Sequence, residues 1–250
     1  SNIRKNIEIT SMADIPDTGT GLGSSSAFTV ALLHAINAFK GKNMPAHELA
    51  ELACHVEIDM IGAPIGKQDQ YAATFGGFNF MEFYGDDRVI VNPLRMRRYI
   101  ISELESSLIL FFTGASRDSA KIIDDQVKSI NQLDGKSLKA MHKVKASSHK
   151  IKELLFKADI LGVAKEFRWA WEAKKATSSS ISNSLIDDIE CNVIDAGALS
   201  MKVSGAGGGG FMMIIVEPEK KLEVIKVLEK FNGRVHKFQF TNEGAYSWTI

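Results

Sequence analysis

Residues 17–30 read DTGTGLGSSSAFTV, and no other stretch narrows the choice of fold so far. Gly19, Gly21 and Gly23 alternate with other residues, Leu22 lies between two of them, Ser24, Ser25 and Ser26 follow, and an apolar, helix-like run begins at once. Glycine lets backbone N–H groups approach an anion closely, serine adds hydroxyl donors, and a helix starting there adds the positive end of its dipole. The segment has the build of a phosphate loop. A tight turn followed by a serine-capped helix would account for the same residues without a ligand.

Two familiar glycine loops do not fit. A Walker A loop needs Lys and Ser or Thr straight after its last glycine, and no lysine occurs between Lys5 and Lys40. A dinucleotide fingerprint needs GxGxxG, whereas Gly19, Gly21 and Gly23 give GxGxG ahead of one continuous helical pattern. A second glycine run, Gly205-Ala206-Gly207-Gly208-Gly209-Gly210, lies between the strand-like MKVS and the apolar FMMIIV. Glycine costs roughly 0.5 to 1 kcal/mol relative to alanine in regular structure, and a hairpin needs one or two. Close backbone approach to a ligand is therefore expected there as well.

The pattern along the chain alternates strands and helices. A strand over Ile7–Thr10 leads into the first loop and a helix over Ser26–Phe39 leaves it; Pro45 opens a second helix with Leu49, Leu52, Ala53 and Val56 on one face. A turn-rich stretch, Gly62–Gln70, precedes two strands, FNFMEFY and RVIV, joined at Gly85-Asp86-Asp87, which makes the first half β-rich. SSLILFFT reads as a buried strand. Helices follow over Ser119–Leu133, Ser137–Phe156, Ile160–Ala176 and Asn183–Ala196, and the end returns to sheet with one helix over Glu219–Phe231. The division falls near Pro93–Ser102, giving parts 1–98 and 99–250.

With 250 residues, 45% hydrophobic and 24% charged, the chain can bury a sizeable core in one or two domains. Thirty basic residues balance thirty acidic ones, which points away from nucleic acid and membrane surfaces. No apolar run is long enough to span a bilayer and no signal peptide opens the chain. Cys54 and Cys191 are isolated and read as buried small hydrophobes, so a reducing compartment, the cytoplasm, is expected.

If the loops hold nucleotide phosphates, the chemistry needs a metal ligand, a group to orient or deprotonate a hydroxyl, and cations to offset developing charge. Glu57, late in the second helix, and Asp69, in the turn-rich segment beside Lys67, are the candidate carboxylates. Equally, Glu57 could lie on a solvated helix face and Asp69 pair with Lys67 at the surface.

GLGSSS at Gly21–Ser26, GKQDQYAATFGGFNFMEF at Gly66–Phe83 and KVSGAGGGGFMM at Lys202–Met213 together resemble the GHMP kinase superfamily, which phosphorylates hydroxyls of small molecules. Within it, GKQDQYAATFGGFNFMEF and FTGASRDSAKII are most similar to the bacterial D-glycero-D-manno-heptose 7-phosphate kinases. The resemblance implies an α+β, two-domain fold: a truncated part like ribosomal S5 domain 2, then a ferredoxin-like part with added helices. It implies ATP and Mg²⁺ as cofactors and a sugar phosphate as the small-molecule partner. Gly19 to Ser26 would cradle the ATP phosphates, Ser25 or its neighbour Ser24 would hold Mg²⁺ with Glu57, and Asp69 would orient or deprotonate the sugar hydroxyl. Gly205, Gly207 and Gly208 would shape the floor of the site. By charge, Lys67, Arg117 and Lys202 are candidates to meet a substrate phosphate or developing negative charge, Lys67 beside Asp69 as a catalytic candidate and Arg117 ahead of Lys202 because a loop after a buried strand can project into a cleft. Members also carry an N-terminal segment with a first motif, absent here, which would expose a sheet edge, so weak nucleotide binding, a homodimer formed through that edge, or inactivity is expected.

Overall fold

The computed structural model describes residues 7–14, 20–114, 119–131 and 135–248. Gly19 and Arg117 lie outside the described residues.

Gly23, in the left-handed conformation at φ 72°, ends the first loop and releases helix α1 (Ser24–Phe39), two residues ahead of the start its apolar spacing predicts. Helix α2 (Ala46–Cys54) buries Leu49, Ala50, Ala53 and Cys54 and runs straight into a π-helical turn over His55–Met60. Helix α3 (Gln68–Phe75) occupies the end of the segment read as turns. Its own amphipathic pattern is weak; the packing of Tyr71 against Ala50 and Cys54 supplies what local propensity lacks. Strands β1 (Asn79–Phe83) and β2 (Val89–Pro93) pair antiparallel with Met81 opposite Val91, as the turn at residues 85–87 predicts.

Residues 7–13 form no strand, contrary to the sequence reading. Ile7 and Ile9 are exposed, and no described strand runs beside them to complete their hydrogen bonds. The first half is thus not β-rich: its described residues hold three α-helices, a π turn and one hairpin.

Helix α4 (Arg98–Ser107), missed by the sequence reading, buries Ile100, Leu104 and Ser107 and delivers the chain to β3 (Leu108–Phe112). Helices α5 (Ser119–Asn131), α6 (Lys136–Phe156), α7 (Ile160–Lys175) and α8 (Ser184–Asp195) follow. Strand β4 (Ala198–Val203), strand β5 (Phe211–Val216), helix α9 (Lys221–Leu228) and strand β6 (Arg234–His236) complete a four-stranded antiparallel sheet in the order β4-β5-β3-β6. That order, reached by a β-helices-β-β-α-β path, is the ferredoxin-like arrangement.

The sheet explains the two continuous apolar runs. β3 and β5 are its central strands, and successive side chains face opposite layers. Ile109, Phe111, Met212 and Ile214 join Trp171, Ile186, Ile189, Val193, Val224 and Leu228 in one layer. Leu108 and Ile215 join Leu104, Leu154, Leu155, Val163 and Ala164 in the other. Cys54 is buried as expected, but Cys191 is exposed. It lies two residues from both Ile189 and Val193, which turn the inward face of α8 to the core, so its own side chain faces out.

Beyond β6 the chain returns across the first half. Gly77 donates its N–H to the Thr241 carbonyl (3.1 Å), Ala245 donates to the Thr74 carbonyl (3.2 Å), and Phe240 donates to the Glu105 carboxylate (2.7 Å). The crossing is tight: a Cβ on Gly76 would stand 2.2 Å from the Glu243 backbone, and one on Gly244 would stand 2.1 Å from the Thr74 carbonyl. Among the described residues no helix is long and apolar enough to cross a membrane.

Candidate active site

Ser24, Ser25 and Ser26 form the first turn of α1, and no side chain caps that turn. The capping explanation of the serines therefore fails: Thr20 Oγ1 bonds to Ser24 Oγ (2.7 Å) and accepts from the Leu22 N–H (3.3 Å), which braces the loop rather than the helix end. The N–H groups at the head of α1 keep their positive field available to an anion.

Glu57 is 2% exposed, not on a solvated face. It follows Leu49 and Ala53 at helical spacing, so the buried stripe of α2 carries it inward, and the π turn begins around it. Ser25 Oγ donates to Glu57 Oε1 at 2.5 Å and Gln70 Nε2 donates to Oε2 at 2.6 Å. Gln70 is wholly buried and its own Oε1 has no partner.

Asp69 sits in the first turn of α3, not in a turn, and does not pair with Lys67. A Cβ on Gly23 would stand 3.1 Å from both Cβ and Cγ of Asp69, so the absence of a side chain there lets the carboxylate lie against the head of α1. Burial pushes the Asp69 carboxyl above the ordinary carboxylate range; a hydrogen bond from Gln68 works against this and the nearby charge of Glu57 adds to it. Lys67 turns to the exposed Asp87 at 2.6 Å, which raises its pKa and ties its charge to the β1–β2 turn.

The second glycine run meets the first. A Cβ on Gly21 would stand 2.5 Å from the Ser204 carbonyl, one on Gly205 would stand 2.7 Å from the Gly21 Cα, and Ser204 Oγ donates to the Gly21 carbonyl (2.8 Å). Gly207 and Gly208 are buried by protein: Gly208 donates its N–H to the Ile181 carbonyl (2.8 Å), and a Cβ on Gly207 would stand 2.9 Å from the same oxygen. All five glycines of the second run have positive φ. At Gly205, Gly207 and Gly208 the close approach is to the protein's own backbone. Lys202 projects from β4 over the Phe167 ring at 5.3 Å.

The structure brings together Gly21, Leu22, Gly23, Ser24, Ser25, Ser26, Glu57, Asp69 and Gly205 and leaves Lys67 at the surface. Gln70 and Lys174, which donates to the Gly205 carbonyl, were missed. Gln70 is one residue from Asp69, and the residues that follow it, Tyr71 and Ala72, give no hint of an internal polar partner. Lys174 recurs on the buried stripe of α7 after Val163, Phe167 and Trp171, a placement visible in the spacing.

The GHMP kinases N terminal domain matches residues 1–77. Over 238 residues the chain is 46% identical to the D-glycero-alpha-D-manno-heptose 7-phosphate kinase of Campylobacter jejuni, a match covering 95% of this chain and 69% of that protein. Among solved structures, a D-glycero-D-manno-heptose 1-phosphate kinase from Bacteroides thetaiotaomicron superposes with a TM-score of 0.76 at 40% identity, covering 95% of this chain and 66% of that one. A chain from Campylobacter jejuni solved as a sugar kinase gives 0.76 at 44%, covering 95% and 67%. The chain spans about two thirds of the length of these relatives. Its α+β architecture, its three glycine and carboxylate motifs and these similarities agree: the chain belongs to the GHMP kinase family.

Proposed function

We propose that this chain carries the catalytic machinery of an ATP-dependent sugar kinase. It transfers the γ-phosphate of ATP to the anomeric hydroxyl of D-glycero-D-manno-heptose 7-phosphate and gives the 1,7-bisphosphate. The observation that carries the reading is the placement of the Asp69 carboxylate against Gly23, at the uncapped head of α1 and beside the Ser25–Glu57 pair.

The backbone N–H groups of the loop and of the first turn of α1 hold the ATP phosphates, and the helix field offsets their charge. Asp69 accepts the proton of the anomeric hydroxyl as its oxygen attacks the γ-phosphorus; the bond to the β-phosphate oxygen breaks and ADP leaves. Its raised pKa narrows the gap to an anomeric hydroxyl, which is itself more acidic than an ordinary alcohol. Ser25 and Glu57 fit Mg²⁺, which takes oxygen donors, one or two carboxylates, and fills its remaining positions with phosphate and water. When bound, the ion neutralises phosphate charge. Gln70 keeps Glu57 facing Ser25 through its amide hydrogen bond. We read residues 1–98 as part of the nucleotide-binding domain and 99–250 as the second domain, acting in the cytoplasm.

In the full-length protein, Asp69→Asn is expected to lower turnover by about 100- to 10,000-fold while ATP affinity stays within about 2-fold; undiminished turnover overturns the assignment. Substrate identity is read from ADP release with heptose 7-phosphate, heptose 1-phosphate, free heptose, fucose and galactose. Preference for an unphosphorylated hexose replaces the heptose reading with a fucose- or galactose-type kinase. Failure of every sugar to release ADP, with ATP still bound, marks a binding protein instead.

A further inference from the structure

Along helix α7, Ile160, Val163 and Phe167 pack in the layer of Leu108 and Ile215, Trp171 reaches the other layer, and Lys174 follows Trp171 at helical spacing. Beneath it, β4 places Lys202 between the buried Met201 and Val203. Helix and strand run alongside each other, Phe167 above Lys202 and Lys174 above Gly205. Two half-buried lysines therefore stand at positions where the pattern favours apolar residues and an unpaired charge is costly.

Neither has a carboxylate partner among the described residues. The acidic side chains around α7 are engaged elsewhere: Glu166 accepts from Ser147, Glu172 pairs with Lys175, and Glu190 takes both Lys175 and the Trp171 N–H. Lys174 uses one of its three donors on the Gly205 carbonyl, and among the described residues Lys202 meets the face of Phe167 and no hydrogen-bond acceptor. Gly205 in turn touches Gly21 of the phosphate loop. Burial, with the neighbouring charge of Lys202 second, brings the Lys174 pKa down to about 8, and burial lowers that of Lys202.

We propose that Lys174 and Lys202 form a two-amine anchor for a phosphate group on the α7 side of the Gly205 loop. It supplies the counter-charge that the protein withholds. A phosphate dianion matches two ammonium groups in charge and accepts the free donors of both. Two sources carry that chemistry at this site, the phosphate already on the sugar and the phosphates of ATP. This inference rests on the kinase reading for its ligand class, not for the existence of the cation pair.

The test compares wild type, Lys174→Met, Lys202→Met and Lys174→Arg in the full-length protein, with KM measured separately for ATP and for the heptose 7-phosphate. Each Met variant is expected to raise the KM of one phosphorylated substrate about 10- to 100-fold, with Lys174→Arg recovering most of the loss. A rise confined to the sugar phosphate assigns the anchor to the substrate's own phosphate; a rise confined to ATP assigns it to the nucleotide. Unchanged KM values for both, in variants that melt within a few degrees of wild type, overturn the anchor. If wild type itself turns over no sugar phosphate, the kinase reading fails, and a second measurement still decides the anchor. Reductively ¹³C-methylated wild-type protein is titrated by NMR with and without inorganic pyrophosphate. The most acid of the dimethyl-lysine resonances is expected to move its midpoint upward by about one pH unit; an unmoved midpoint overturns the proposal.

Discussion

The two glycine segments share left-handed backbone and differ in what surrounds it. In the first, Gly21 and Gly23 take positive φ so that the chain can turn into α1 and leave its leading N–H groups without a cap. In the second, Gly207 and Gly208 are buried, and their freedom is consumed in meeting the backbone of Ile181. Glycine content therefore marks close approach of a backbone to something, and only the surroundings say whether that is a ligand or the protein. At Gly21 and Gly205 the two uses join, since each glycine fills the space a Cβ on the other would need.

The comparison breaks most forcefully at Gly21. Gly21→Ala puts a Cβ 2.5 Å from the Ser204 carbonyl at φ 75°, and is expected to cost about 3 kcal/mol of stability together with nearly all turnover. Thermal melting and ADP release on the same sample check both losses. Gly207→Ala separates the uses. It should cost about 2 kcal/mol in chemical denaturation while ATP affinity per folded molecule stays unchanged; weakened ATP binding without a stability loss would give the second run a ligand contact after all.

A smaller effect is read from pH. Lys174 has a folded-state pKa of about 8 against an ordinary value of 10.5, so between those limits the unfolded chain holds more protons and stability rises with pH. Comparing denaturation of wild type and Lys174→Met at pH 7.5 and 9.5 should show this gain in wild type and a flatter profile in the variant. Smallest is Gly41→Ala. Its φ is 67° but nothing lies within 4 Å of the added methyl, so about 1 kcal/mol from the left-handed backbone is the whole expected cost, with turnover unaffected.

What could be read in the sequence followed from residues whose pattern and packing agree. The central strands β3 and β5 and the helices α5 to α8 stand where apolar spacing puts them, because burial on the sheet demands that spacing. Helix α3 was hidden because its eight residues gain their stability from Tyr71 against α2, a contact no local pattern reports. The sequence pattern consequently puts Asp69 in a turn-rich segment, and the resemblance gives it a role on a sugar hydroxyl; its approach to Gly23 is seen only in the fold. The burial of Glu57 was legible from its spacing after Leu49 and Ala53, but a carboxylate on an apolar stripe reads as surface until its partners Ser25 and Gln70 are seen. The expected strand at Ile7–Thr10 had the right residues and lacks a partner among the described ones, since strand propensity is realised only in a sheet.

The segment that crosses back over the first half also sets an order of events during synthesis. Gly23, Glu57 and Asp69 leave the ribosome early, yet Gly21 has no neighbour to close against until Ser204 and Gly205 emerge, and α3 is not fastened until Thr241 and Ala245 follow. Contacts of such long sequence separation form late, because their loop-closure entropy is met before they contribute. A nascent chain of this protein therefore carries Glu57 and Asp69 well before the glycine segment beside them can close.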